Sequence, residues 1–237
     1  MNPQRQAYSD VLLTLHNAAD RAGRPPARLL AVSKTQAAEA VARLAALGQR
    51  AFGENYVQEG IAKARALAHL GLEWHLIGHL QSNKCGEAAE HFDWVQSLDR
   101  PKLVAALDRA RPPQRGPLNV LVQVNVDDEG SKSGCRPEEA LALARSVATA
   151  PNLRLRGLMS IGAPWPEHEQ RRSAFRRMRE LFERLREEFP DADTLSMGMS
   201  EDFALAAEEG ATMVRIGSKL FGPRLPLRRS DLGRDPI

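Results

Sequence analysis

The stretch "RLLAVSKTQ", residues 28–36, decides how the rest of the chain is read. Leu29, Leu30, Ala31 and Val32 form an apolar run of strand length, and Lys34 stands at its end. A short apolar run of this kind reads as a buried strand. An ammonium group at the end of such a strand is costly unless it is paired, neutralised or used covalently. Chemistry that uses a neutral lysine amine removes the difficulty.

Working outward, apolar runs and helical patterns alternate from end to end. After LLAVS (29–33) come RAFG (50–53), EWHLIG (73–78), DWVQSL (93–98) and LNVLVQVNV (118–126). LRLRGLMSI (153–161), DTLSMG (193–198) and TMVRIG (212–217) complete the set. Helical periodicity fills each gap, over 36–48, 55–70, 82–91, 100–110, 137–149, 167–189 and 201–209. Pro101 and Pro137 sit at first turns, and Gly48 and Gly210 at ends. A further helix precedes them over 3–22, with Val11, Leu12, Leu15, Ala18 and Ala19 on one face. Eight strands with helices between them define an α/β chain, a single (β/α)8 TIM-like barrel with an extra N-terminal helix. The barrel is expected to occupy residues 1–224 as one domain, and the tail 225–237 to be poorly ordered.

Composition narrows the function classes. The chain has 237 residues, 33 basic and 30 acidic, with 43% hydrophobic and 27% charged residues. The arginines sit among glutamates, as in RRMRELFERLREEF (176–189), where Glu180 and Arg184 fall at i,i+4. That is a solvated helix face, so neither nucleic acid nor membrane is an expected partner. The N-terminus lacks the apolar core of a signal peptide, and no window is long and apolar enough to span a bilayer. Two cysteines, Cys85 and Cys135, suit a reducing cytoplasm.

Barrels of this type place their chemistry at the C-terminal ends of the strands. Those ends read Lys34, GENY (53–56), GHLQSNK (78–84), Ser97, Asp99, Asn125, Met159, Ser160, SMGMS (196–200) and RIGSKLFG (215–222). Ser200 precedes a helical pattern, and Gly217 with Ser218 follows the last strand. Each segment alone reads as a cap or tight turn; together they suggest an anion site. Period-two alternation sets Met213 and Arg215 on one face of the last strand, which aims Arg215 into the barrel. A structural salt bridge to Glu54 is the alternative reading of Arg215. His75 and His79 lie on a strand pattern, which denies them the helical geometry of a zinc pair. His75 reads instead as a stacked or hydrogen-bonded barrel residue. DDEGSKSG (127–134) reads as a loop able to close over the site, and Cys85 as a small buried residue.

With these residues in hand the chain resembles the pyridoxal phosphate homeostasis protein family. The resembling segments are LLAVSKT, FGENYVQE, WHLIGHLQSNK, VNVDDEGSKSG, LRGLMSIG and LSMGMSEDFALAAEEGATMVRIGSKLFGPR, which run in order from about 29 to 224. The resemblance implies a barrel like that of alanine racemase, carrying pyridoxal 5'-phosphate. It makes Lys34 the lysine of the internal aldimine, and Ser200, Gly217 and Ser218 the phosphate positions. Arg215 is then the residue facing the pyridine nitrogen, with Asn55 and Met199 near the ring. The implied role is vitamin B6 storage, delivery or protection without substantial catalysis, by a cytoplasmic monomer whose candidate partners are apo-enzymes that use the cofactor. The chain departs from the family pattern at Lys219 and Pro223. Two other readings stay open: a pyridoxal phosphate-dependent racemase or related enzyme, and a Schiff-base aldolase acting on a phosphorylated sugar.

Overall fold

The computed structural model describes residues 3–127, 133–163 and 165–222. The tail 225–237, Pro223 and residues 128–132 of the expected lid loop lie outside the described residues. Helix α1 (Pro3–Ala22) matches the expected range and buries Val11, Leu15, Ala18 and Ala19. Strand β1 (Arg28–Val32), helix α2 (Ala38–Ala45), β2 (Ala51–Glu54) and α3 (Val57–Ala66) follow. Next come β3 (Glu73–Leu76), α4 (Cys85–His91), β4 (Trp94–Leu98) and α5 (Pro101–Ala110). β5 (Leu118–Val124), α6 (Ala140–Ala148), β6 (Leu153–Ser160) and α7 (His168–Glu188) continue the alternation. β7 (Thr194–Ser196), α8 (Phe203–Glu208), β8 (Met213–Ile216) and α9 (Ser218–Phe221) complete it.

The strands form a closed parallel barrel in sequence order. Closure comes from β1 against β8, with Arg28 beside Met213 and Leu30 beside Arg215. No helix among the described residues is long and apolar enough to cross a membrane.

The differences from the sequence reading lie at element ends. β5 stops at Val124 rather than 126, because the Asn125 N–H turns to the Cys135 carbonyl. The helices expected over 55–70, 82–91 and 137–149 each contain a 3-10 turn, at 68–70, 82–84 and 137–139. α9 was not expected: four residues are too few for a helical period to register.

Alternation divides the strand residues into two layers. Outward side chains such as Leu29, Phe52, Leu76 and Val214 join one large apolar core under the helices. Inward ones form two small apolar clusters instead. Leu30, Ala51, Ile77 and Met213 make the first, and Trp94, Leu121 and Met159 the second. Between them the interior is polar, with His75, Gln96, Ser196 and Arg215 all buried.

β6 approaches β7 closely at Gly157, where φ is 140° and an added Cβ would stand 2.0 Å from the Thr194 carbonyl oxygen. Gly86, on the open side of α4, meets nothing within 4 Å and has no positive φ. Gly157→Ala is expected to lower unfolding free energy by roughly 1–3 kcal/mol from backbone strain alone. Gly86→Ala should gain up to about 1 kcal/mol from helix propensity. Urea unfolding of both variants checks the opposite signs.

Candidate functional site

A cavity of about 690 Å³ opens at the C-terminal mouth of the barrel. Its walls include Lys34, Asn55, Met199, Ser200, Arg215, Gly217 and Ser218, the full set singled out from sequence. The volume falls within the roughly 300–1,000 Å³ common for small-molecule sites.

Lys34 follows β1 in a turn closed by the Gln36 N–H to the Ser33 carbonyl. The peptides on either side of it are tied down. The Ser33 hydroxyl donates to Glu54 Oε1 (2.6 Å), and the Thr35 N–H donates to Glu59 Oε1 (2.5 Å). Thr35 has φ 63°, the one positive value outside glycine among the described residues. A β-branched residue there is strained, so the surroundings must hold it.

Lys63 on α3 supplies the hold. Its ammonium donates to the Ser33 carbonyl (2.6 Å), Glu54 Oε1 (2.8 Å) and Glu59 Oε1 (2.8 Å). All three of its protons are used. Glu54 is fully buried, and its Oε2 has no hydrogen-bond partner. Burial pushes the Glu54 carboxyl up to about 7, against the opposing pull of Lys63 and Ser33.

The opposite wall comes from the last two strands. After β7 the chain turns at Gly198 (φ 88°), where a Cβ would meet Ala206 at 2.4 Å. Asp202 Oδ1 accepts the Met199 N–H (2.7 Å), which shapes the loop carrying Met199 and Ser200. The capping role considered for Ser200 does not occur, because α8 starts at Phe203 and Asp202 is its N-cap residue. After β8, Gly217 passes close to β1: a Cβ there would lie 3.1 Å from the Val32 carbonyl oxygen. Ser200 and Ser218, after the seventh and eighth strands, both line the cavity. Lys219 is exposed and lines a separate groove with Asp10 and Phe203 rather than the cavity.

Arg215 points into the barrel, as alternation required, and is 4% exposed. Its Nη1 donates to Ser196 Oγ (2.8 Å) and its Nη2 to the Ser160 carbonyl (2.6 Å). Burial lowers it to about 10, so it keeps its proton at neutral pH. The alternative salt bridge to Glu54 is not formed. Glu54 follows the inward-facing Gly53 and therefore faces outward, toward Lys63. His75 is stacked on Trp94 at 5.0 Å and hydrogen-bonded on both ring nitrogens, as its strand position suggested. Cys85 is buried. Ser133, from the expected lid segment, lines the cavity and meets His79 Nδ1 at 3.1 Å.

Sequence reasoning missed Lys63, Glu59 and Gln96. The Glu59–Lys63 spacing of four was the available signal, but it reads equally as a surface pair.

The fold and cavity together define a class: a parallel barrel with a lysine, a buried arginine and two serines lining the cavity at its C-terminal mouth. The model of the alanine racemase N-terminal domain matches residues 14–225. The pyridoxal phosphate homeostasis protein of Pseudomonas aeruginosa is 53% identical over 226 residues, covering 94% of this chain and 97% of that one. The protein of the same name from Escherichia coli K12 is 51% identical over 229 residues, covering 94% and 98%. Among solved structures, PipY of Synechococcus elongatus, described with PLP bound, matches with TM-score 0.76 and 37% identity, covering 89% of this chain and all of that one. The chain belongs to the pyridoxal phosphate homeostasis protein family, built on the alanine racemase N-terminal barrel. D-threonine aldolase from Filomicrobium marinum, at 20% identity and TM-score 0.71, shares the fold.

Between pH 4.5 and about 7 the folded state holds a proton on Glu54 that the unfolded chain has released. This contribution to stability is fully present below 4.5 and is lost as pH rises through about 7. Glu54→Gln should therefore flatten the pH dependence of stability across that window. Lys63→Met should cost about 3–5 kcal/mol at pH near 8, where the folded state must either keep a proton on Glu54 that the unfolded chain has released or bury its charge unpaired. The loss should shrink near pH 5, and urea unfolding at the two pH values checks it.

Proposed function

We propose that the chain binds pyridoxal 5'-phosphate at Lys34 and serves in vitamin B6 homeostasis, holding the cofactor rather than turning over substrate. One observation carries the reading. Lys34, Arg215, Ser200 and Ser218 line a single cavity whose lysine turn is held under strain. That donor set fits a group with an aldehyde, a ring nitrogen and a phosphate. The cofactor, when bound, supplies an aldehyde carbon that condenses with an amine.

The chain's own residues then take distinct parts. Lys34 offers the amine, from a turn whose flanking peptides are fixed by Glu54, Glu59 and Lys63. Ser200, Ser218 and the Gly217 backbone receive phosphate oxygens where the seventh and eighth strands end, the usual anion corner of such barrels. Asn55 and Met199 flank the ring. Arg215 faces the ring nitrogen and has no lone pair with which to take or share a proton. An arginine there withholds the protonated nitrogen that carbanion chemistry uses as its electron sink.

The unit that does this is the barrel to residue 224, acting as a cytoplasmic monomer that passes its cofactor to apo-enzymes. Both cysteines are buried free thiols, which suits a reducing compartment. The relatives from Pseudomonas aeruginosa and Escherichia coli, named pyridoxal phosphate homeostasis proteins, support the same role.

Borohydride reduction of the cofactor-loaded protein, followed by peptide mapping, is expected to place a phosphopyridoxyl group on Lys34. Lys34→Ala should lose both the adduct and the visible absorption. An adduct on another lysine, or none, overturns the assignment. Steady racemisation or aldol cleavage by the loaded wild type, lost in Lys34→Ala, would mark an enzyme instead.

A further inference from the structure

Four hydrogen bonds run in single file from the cavity floor to the opposite end of the barrel. Arg215 Nη1 meets Ser196 Oγ at 2.8 Å, and Ser196 Oγ meets Gln96 Oε1 at 2.7 Å. Gln96 Nε2 meets His75 Nδ1 at 2.9 Å, and His75 Nε2 meets Glu73 Oε1 at 2.5 Å. Between Ser196 on β7 and Gln96 on β4 the file crosses the barrel interior. Glu73 closes it at the N-terminal rim, where Arg28 Nη2 also reaches Oε1 (2.8 Å).

Chemistry gives every link the same sense. A guanidinium only donates, so Ser196 Oγ accepts from Arg215. The hydroxyl's single proton then goes to Gln96 Oε1. With its oxygen engaged, the amide offers N–H to His75, whose Nδ1 accepts; the second amide proton has Met213 Sδ at 3.2 Å. A neutral imidazole accepting at Nδ1 carries its proton on Nε2, which donates to the Glu73 carboxylate. The titration directions agree. Burial lowers His75 and keeps it neutral, while Glu73 stays ionised, its burial outweighed by His75 and Arg28.

Arg215 makes no ion pair among the described residues, although a buried cation without compensation is costly. Asp202, on the cavity wall, is the charge that favours the guanidinium, and the aligned file adds to it by turning a lone pair of Ser196 Oγ toward Nη1. The two apolar clusters on either side of the file shield it from water.

We propose that Gln96, with His75 behind it, is a positioning residue for Arg215, fixing the orientation in which the guanidinium meets the ring nitrogen of the bound cofactor. This rests on the reading of Arg215 given above. Gln96 is the link that matters most, since only an amide both accepts from Ser196 and donates to His75.

The test compares the cofactor-loaded wild type with Gln96→Leu, Ser196→Ala, the double variant, and Leu107→Ala, a buried core position on α5, as a destabilised control away from the file. Gln96→Leu should move the absorption maximum of the bound cofactor and weaken cofactor binding by about tenfold, the scale of one hydrogen bond to a charged group. Ser196→Ala should move the band the same way, and the double variant should add little to it. Leu107→Ala should lose stability with its band in place. If Gln96→Leu does not fold, His75→Phe, which keeps the ring on Trp94 but removes the acceptor, is read in its stead. A wild-type adduct on Lys34 with an unmoved band in these variants overturns the positioning role alone. Absence of that adduct in the wild type overturns the cofactor reading, and this proposal with it.

Discussion

The Lys63 ammonium is the contact on which the geometry around Lys34 depends. It binds the carbonyl before Lys34 directly, and the N–H after it through Glu59. A strained Thr35 survives between them because both flanking peptides are charge-assisted. Taking Lys63 and Glu54 out of water costs several kcal/mol per ion before pairing. The cluster offsets that by satisfying every ammonium proton, yet it leaves one Glu54 oxygen unpaired. Such an arrangement gains orientation more than stability, which suits the part proposed for Lys34.

The barrel interior follows from the same tension between burial and charge. A barrel of eight strands leaves an interior just wide enough for side chains to fill. Here apolar residues fill only two flanks, and a polar file occupies the middle. The outward layer carries the hydrophobic stabilisation, where Leu29, Phe52, Leu76 and Val214 join a core extending under the helices. Relieved of that burden, the inward layer can hold ionisable groups in line. The end distant from the cavity is sealed by charged pairs, Arg28 with Glu73 and Arg156 with Asp193, and Arg156 also lies over Trp94 at 4.7 Å.

How much of this was legible in the sequence depended on the range of the interaction. Strand alternation is local, so the barrel, the rim and the inward aim of Arg215 could be read from short runs. The alternative Glu54–Arg215 pair could have been rejected by the same rule, since Phe52 and Glu54 share the outward face of β2. Lys63 was hidden because "GIAKARALAHL" reads as an amphipathic helix with surface lysine. Only the closeness of α3 to the end of β1 turns that lysine inward. Gln96 and His75 lie 21 residues apart, and Gln96 and Ser196 lie 100 apart. No local period reports pairings across the middle of a barrel.

The two charged devices share a principle that bears on the role proposed for the site. Lys34 is held from behind the barrel wall, by Lys63 and its carboxylates, and Arg215 from beneath the cavity floor, by a file that ends on Glu73. Glu54 and Glu59 stand behind the Lys34 turn, whereas Asp202, the charge that favours the Arg215 guanidinium, lies on the cavity wall. A carboxylate placed directly against the ring nitrogen would stabilise its protonated form and strengthen the electron sink. Ser196, Gln96 and His75 bring no carboxylate to the guanidinium, so the file orients Arg215 and, in the reading proposed above, leaves the ring facing only a donor. In the role proposed above, such a site holds its ligand by position and hydrogen bonding, and withholds the electronic change that would make the same ligand reactive.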